Sequence, residues 1–350
     1  MDNVNNNSIK PKRRIRYKGT HPRHFDEKYK ELNFESYPSE VEKVIKSGKT
    51  PAGTHRPVCV NEVIDVLKPM SGQIGVDATL GFGGHAEELL KRISPNGRLF
   101  ALDIDPVEIA RTEKRLRSMG FSDRELVIKR SNFAGMFKLL KEAGGGFDFI
   151  LADLGVSSMQ LDNPARGFTF KREGPLDLRL NPERGRTASA LIRSLEEKQL
   201  EALFIENSDE PCAKQIAQAV FKNRNKINTT TELANAIARA LGNKSFRDGD
   251  NMIKDSIRRV FQALRIEVNE EFSVLEQFLR NLPFCLKTQG RVAILSFHPG
   301  EDNRIVDSFE QGRIAGLYAD ISSIPIRPSA KEQSSNPRSQ SARLRWAIKN

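Results

Sequence analysis

Ile74-Gly-Val-Asp77-Ala-Thr-Leu-Gly81-Phe-Gly83-Gly84-His85-Ala86 decides the fold of this 350-residue chain. An apolar run over Ile74–Ala78 predicts a strand, which ends on a glycine-rich turn and enters a helix over Ala86–Arg92. Glycines permit a tight turn and let the backbone approach a ligand. The pattern repeats downstream. Arg98–Leu102 predicts a second strand, and Asp105-Pro106 starts a helix reaching about Met119, with Asp as N-cap and Pro in the first turn. Leu126–Lys129 predicts a third strand, and Phe133–Ala143 a helix ended by Gly144-Gly-Gly146. Phe147–Ala152 is an apolar fourth strand, as expected where both sheet faces are covered. With a short helix over Asn61–Leu67, this alternation predicts an α/β fold with a doubly wound parallel sheet.

The turn predicts a nucleotide-type cofactor. Asp103 ends the second strand, twenty positions beyond Gly83, where an acid accepts hydrogen bonds from ribose hydroxyls. Gly81-x-Gly83-x-x-Ala86 also satisfies the dinucleotide fingerprint, a weak signal alone. A dehydrogenase would need a hydride acid/base on a second domain, and the sequence offers no candidate. An acid at the end of strand one, Asp77, suits the positively charged methionine portion of S-adenosylmethionine. The cofactor site expected is therefore Asp77, Gly81, Gly83, Gly84, His85 and Asp103. His85 either donates to the cofactor or caps and packs the helix.

Asp153 closes the fourth strand, on the edge where open α/β sheets bind ligands. The lone pair of a cytosine amine is delocalised into the ring, which makes the nitrogen a poor nucleophile. Acceptors placed on its hydrogens favour a more tetrahedral nitrogen that attacks a methyl group in line. The sulfonium departs as a neutral thioether, so no metal is expected, and positioning plus oriented acceptors suffice. Asp153 is the candidate catalytic acceptor; the bland alternative is a strand-end residue capping a turn.

Beyond residue 163 the alternation stops. Residues 164–185 read as a loop rich in Arg, Gly and Pro, and 187–243 look helical throughout, with Thr229-Thr-Thr-Glu232 as a capping box. The organisation expected is a basic, partly disordered extension over 1–50, a core over 51–163 and 256–350, and a helical insert over 164–255. Helices at about Ile257–Glu267 and Glu270–Leu282, a strand at Arg291–Ser296 and a closing strand over 341–348 complete the core.

Net charge is +11. Residues 1–30 carry +6 and residues 321–350 carry +5, so the two ends hold the whole excess. Basic ends on a neutral body suit a polyanion, since neutralising phosphates releases counterions. No apolar run is long enough for a membrane span or a secretory signal, so a cytoplasmic protein without a membrane partner is expected. Cys59, Cys212 and Cys285 fit no metal-ligand spacing.

The chain resembles the small-subunit ribosomal RNA (cytosine-N4)-methyltransferase family, also called RsmH or MraW, from about residue 55 to the C-terminus. The resemblance rests on His55-Arg-Pro-Val58, Asp77 through His85, Leu102-Asp-Ile-Asp-Pro106 and Asp153-Leu-Gly-Val-Ser-Ser-Met-Gln-Leu-Asp162. It continues in Arg166-Gly-Phe-Thr-Phe170, Gly174-Pro-Leu-Asp177, Arg259 through Asn269, Leu295-Ser-Phe-His298 and Asn336-Pro-Arg-Ser339. It implies a Rossmann-like class I methyltransferase sheet with an inserted α-helical domain that takes the substrate. It adds Phe133, against adenine, Asp153, and Gln160, at the amino acid end, to the cofactor contacts. The implied substrate is a cytidine of small-subunit (16S) rRNA within a ribosomal particle, methylated on its ring amine. For RNA, Arg166, Arg172 and Arg179 are candidate phosphate contacts, Phe168, Phe170 and Phe297 candidate stacking platforms, and His298 a candidate base or phosphate contact. Core packing is the competing reading of each phenylalanine. The chain departs from the family at Leu178-Arg-Leu-Asn181, at Lys254-Asp-Ser-Ile-Arg258 and at Pro299-Gly-Glu-Asp-Asn-Arg304. An amine methyltransferase on another RNA, DNA or protein, and a non-catalytic RNA-binding assembly factor, are the alternatives. The oligomeric state stays open, a homodimer included.

Overall fold

Strong β-formers and punctuating glycines give the first four strands in the expected places. The computed structural model describes residues 57–350. The extension over 1–50 lies outside the described residues, as does His55. Helix α1 (Val60–Leu67) leads to β1 (Ile74–Asp77), α2 (Gly84–Ile93), β2 (Arg98–Asp103), α3 (Pro106–Ser118) and β3 (Leu126–Arg130). The helix expected over 133–143 is a 3₁₀ segment, Phe133–Leu139, followed by the single turn α4 (Leu140–Ala143). Strand β4 (Phe147–Asp153) and α5 (Ser158–Asp162) follow.

The helical run over 187–243 resolves into α6 (Ala188–Ser194), α7 (Glu197–Ser208), α8 (Ala213–Asn223) and α9 (Thr230–Ala240). Thr229 caps α9 through a reciprocal capping box with Glu232. These helices share one apolar core with Phe168 and with Ile253, Ile257, Val260 and Leu264 of α10 (Asn251–Val268). The division expected at 255/256 therefore falls inside α10, a continuous helix capped by Asp250.

Helix α11 (Glu271–Cys285) returns the chain to β5 (Leu286–Ser296), which starts five residues before the expected point. Helix α12 (Pro299–Ile314), β6 (Tyr318–Ile321), α13 (Ala330–Ser335) and β7 (Arg343–Lys349) complete the chain. The seven strands run in the order β3-β2-β1-β4-β5-β7-β6. The first five are parallel, and β7 lies antiparallel between β5 and β6. Side chains alternate across the sheet. Phe100, Leu102, Ile150 and Ala152 face α11 and α12, while Leu99, Ala101, Phe149 and Leu151 face α1 and α2. The strand order reverses between β1 and β4, and their carboxyl ends open the crevice where such sheets bind ligands.

Candidate active site

Asp77 and Asp153 end the two strands that flank this reversal. Asp77 is 1% exposed; its Oδ1 accepts from the Thr79 N–H at 3.1 Å, and its Oδ2 has no partner. The Thr79 hydroxyl in turn accepts from the Asp153 N–H at 2.6 Å, which ties the glycine turn to the end of β4. Gly81 donates its N–H to Asp103 Oδ2 at 2.7 Å, and its carbonyl accepts from the Thr112 hydroxyl at 2.6 Å. Gly83 caps α2 at φ 77°. A Cβ there would lie 2.6 Å from the Thr112 methyl, so only glycine fits this backbone against α3. At Gly81 the nearest atom to such a Cβ is 3.9 Å away, which leaves room above the turn.

The electrostatics of the crevice are set by clustered acids. Burial pushes the Asp77 carboxyl up to about 7, with Asp103 adding repulsion. Burial, with the charges of Asp77 and Glu301, pushes Asp153 up to about 8. Asp103 is raised by burial as well, although the Asp105 and Gly81 N–H groups work against the shift. Burial lowers His85 to about 4, so its imidazole is neutral near pH 7. His85 Nε2 lies 3.6 Å from Asp153 Oδ2, too long for a hydrogen bond, and is one of three buried orphan groups here with Asp77 Oδ2 and Asp153 Oδ1. Buried acid oxygens left without partners suit a ligand that carries positive charge.

The family is decided by the sequence comparisons. The model of the MraW methylase family matches residues 52–350. The chain belongs to that family. It is 50% identical over 341 residues to ribosomal RNA small subunit methyltransferase H 1 of Lachnoclostridium phytofermentans, covering 97% of this chain and 93% of the relative. It is 49% identical over 349 residues to ribosomal RNA small subunit methyltransferase H 2 of Alkaliphilus metalliredigens, covering 99% of this chain and all of the relative. Ribosomal RNA small subunit methyltransferase H of Carboxydothermus hydrogenoformans is 40% identical over 85% of this chain. The first two alignments reach well into the N-terminal extension. For this methylase the cofactor is S-adenosylmethionine. The orphaned acids of the crevice fit its sulfonium and ammonium, and the open face of Gly81 fits its approach to the backbone.

The structure separates the remaining candidates. Phe133 follows β3 beside the crevice and packs edge-on against Phe278, its ring centroid 5.3 Å away. Gln160 is committed within the protein: its Oε1 accepts from Ser157 N–H in the α5 capping box, and its Nε2 donates to Asp105 Oδ2 at 2.8 Å. Arg166 is likewise spent internally. Its Nη1 donates to Asp105 Oδ2 at 2.7 Å, and its Nη2 donates to the carbonyls of Arg179 and Leu180. Arg179 forms a fork on Asp177, at 2.8 Å through both Nε and Nη2. Among the described residues, Arg172 alone of the three makes no side-chain hydrogen bond or ion pair, and it is half-buried.

Phe168 is part of the insert core, in line with core packing, the favoured of its two readings, and it offers no free stacking platform. Phe170 packs on Phe246 and Phe261, with centroids 6.0 and 5.6 Å away. Phe297 stays partly exposed beside Gly155. His298 is 9% exposed, and both ring nitrogens are shielded from solvent without a hydrogen bond. Its Nε2 lies 3.3 Å from Glu301 Oε1. Burial raises Glu301, but His298, the Phe297 N–H and Arg265 outweigh it and hold the carboxyl below its ordinary range. His298 thus faces Glu301 of α12.

Three residues of this site escaped the sequence reading. Thr79 and Thr112 bind the glycine turn from either side, and Asp105 collects Gln160 and Arg166. Asp105 was legible only as a helix cap. Cysteine spacing also missed Cys59, whose sulfur lies within 4.8 Å of carboxylate oxygens of Glu62 and Glu332.

Proposed function

We propose that this enzyme transfers the methyl group of S-adenosylmethionine to the exocyclic N4 amine of a cytidine in small-subunit (16S) rRNA. The observation that carries the reading is Asp153, a strand-end acid, 28% exposed, with an unpartnered oxygen beside the cofactor turn. The relatives' names supply the substrate class. A ribosomal particle in the cytoplasm is the proposed setting, with the helical insert and the basic chain ends on the RNA.

Bound S-adenosylmethionine supplies an electrophilic methyl group on a sulfonium. Asp77 would hold its positive end, the turn from Gly81 to Gly84 its backbone side, Asp103 the ribose hydroxyls and Phe133 the adenine. The partly exposed Asp153 carboxylate accepts a hydrogen bond from the amine and localises the nitrogen lone pair for in-line attack. As the N–C bond forms, the amine proton passes to the same carboxylate, which its surroundings make a stronger base than an ordinary aspartate. Neutral His85 packs against Asp153 without adding a positive charge that would weaken this base.

Incubation with methyl-labelled S-adenosylmethionine and small ribosomal subunits tests the reading. Label released by nuclease as N4-methylcytidine is expected. Label that survives nuclease points to a protein amine. Cofactor binding with no transfer to any subunit points to an assembly factor and overturns the proposal.

A further inference from the structure

The segment Asp177–Asn181, which joins the end of a family string to a stretch where the chain departs from it, is left without a task by the reaction above, and it is held in an unusual way. Leu178 is buried and adopts φ 64°, a left-handed conformation that costs a branched residue about 1–2 kcal/mol. Such strain persists only where the surroundings over-determine it. Two side chains from different elements do so here. Arg166 donates to the carbonyls of Arg179 and Leu180 at 3.1 and 2.9 Å. Asn269, at the end of α10, donates to the Leu178 carbonyl at 2.8 Å and accepts from the Leu180 N–H at 2.7 Å.

The same Arg166 reaches into the cofactor half. Its other nitrogen bonds Asp105, which is fully buried and donates its own N–H to Asp103 Oδ1 at 2.9 Å. The far end of the segment meets the same edge. Arg130 closes β3 opposite Asp103 in the sheet register, and it bonds Asn181 at 3.2 Å and Glu183. The strained segment therefore lies along the carboxyl ends of β2 and β3, next to the acid assigned to the ribose.

We infer that Arg166 is a positioning residue: its guanidinium fork fixes the strained Asp177–Asn181 segment against the cofactor half, so that cofactor and insert share one geometry. This rests on the methyltransferase reading above. A planar fork is required, because one residue serves a carboxylate and two carbonyls at once. A lysine keeps the charge for Asp105 but not the geometry for the carbonyls.

The test compares Arg166→Lys, Arg166→Met and Asn269→Ala with the wild type. S-adenosylhomocysteine affinity is read by calorimetry, transfer to small ribosomal subunits by kcat and KM, and folding by thermal unfolding. Arg166→Met loses the buried pair and the fork, and falls in Tm. Arg166→Lys recovers most of that Tm, yet it still binds S-adenosylhomocysteine about tenfold more weakly, the worth of one lost charge-assisted bond. Its kcat falls about 10–100-fold through misplacement of the segment. Asn269→Ala, which never touches Asp105, gives the same signature. The inference is overturned if Arg166→Lys restores Tm, affinity and kcat together, since the pair is then only structural. It is also overturned if Asn269→Ala leaves affinity and kcat within twofold. Should the wild type not methylate the subunits, the substrate reading fails, while the affinity arm still decides the role of Arg166.

Discussion

Replacing Gly83 by alanine separates the two reasons for glycine in the cofactor turn. The backbone there has φ 77°, and an added Cβ would stand 2.6 Å from the Thr112 methyl, 3.2 Å from Arg115 Nη2 and 3.3 Å from Leu116 Cδ1. The left-handed conformation alone costs an alanine about 1–2 kcal/mol. The overlap with Thr112 forces a shift of α2 or α3, for about 1–3 kcal/mol more. Gly83→Ala should therefore destabilise the protein by about 2–5 kcal/mol in urea unfolding. Gly144→Ala is the control: it has φ 75° but nothing within 4 Å of the new Cβ, so only the conformational part applies. Thr112→Ser removes the clashing methyl and keeps the hydroxyl that bonds the Gly81 carbonyl. The double variant Gly83→Ala/Thr112→Ser should recover most of the overlap, seen as a coupling of about 1–3 kcal/mol in a double-mutant cycle. Equal losses for Gly83→Ala and Gly144→Ala, with no coupling to Thr112, would refute the packing argument.

Three further outcomes follow from the clustered acids. Asp77 and Asp153 ionise near pH 7 and 8 in the empty site, so S-adenosylmethionine should bind more tightly as pH rises from 6 to 9. S-adenosylhomocysteine, which lacks the sulfonium charge, should gain less, and calorimetry of both ligands across that range checks the difference. The folded state binds more protons than the unfolded chain between about pH 4 and 7, because Asp77 is raised there. Stability of the ligand-free protein should accordingly fall as pH rises through that window, which unfolding curves would show. Asp77→Asn removes the buried ionisable group, so it should raise Tm at pH 8 more than at pH 5 while weakening S-adenosylmethionine binding; equal shifts at both pH values would argue against this origin.

The parallel half of the sheet was readable because each strand there is an apolar run bounded by glycine or a capping acid. Helix α12 was not, although Pro299 stands at its first turn, a known starting position. Its buried face includes Glu301 and Asp302 beside Ile305 and Phe309, and those acids hide the apolar stripe. Asp302 is buried because it holds Arg345 of β7 by two bonds of 2.9 and 3.0 Å, a partner 43 positions away that no local pattern reveals. Strand β6 spans four residues, too short for alternation to register. At the site, the strand-end acids and the glycine turn were legible, since their positions follow from the βαβ order. Gln160 and Arg166 were legible only as polar residues near a turn. What they do depends on Asp105, which lies more than 50 positions earlier. The phenylalanines around residue 170 show the same limit: aromatic residues in a loop can stack on RNA although they more often pack in a core, and the insert closes over Phe168.

The direct measurement is nucleoside mass spectrometry of small-subunit rRNA from cells lacking this protein, complemented with the wild type or with Asp153→Asn. N4-methylcytidine should be absent without the protein, return with the wild type, and stay absent with Asp153→Asn although that variant folds and binds S-adenosylhomocysteine. N4-methylcytidine at wild-type levels in the deleted cells, or its return with Asp153→Asn, would contradict the account.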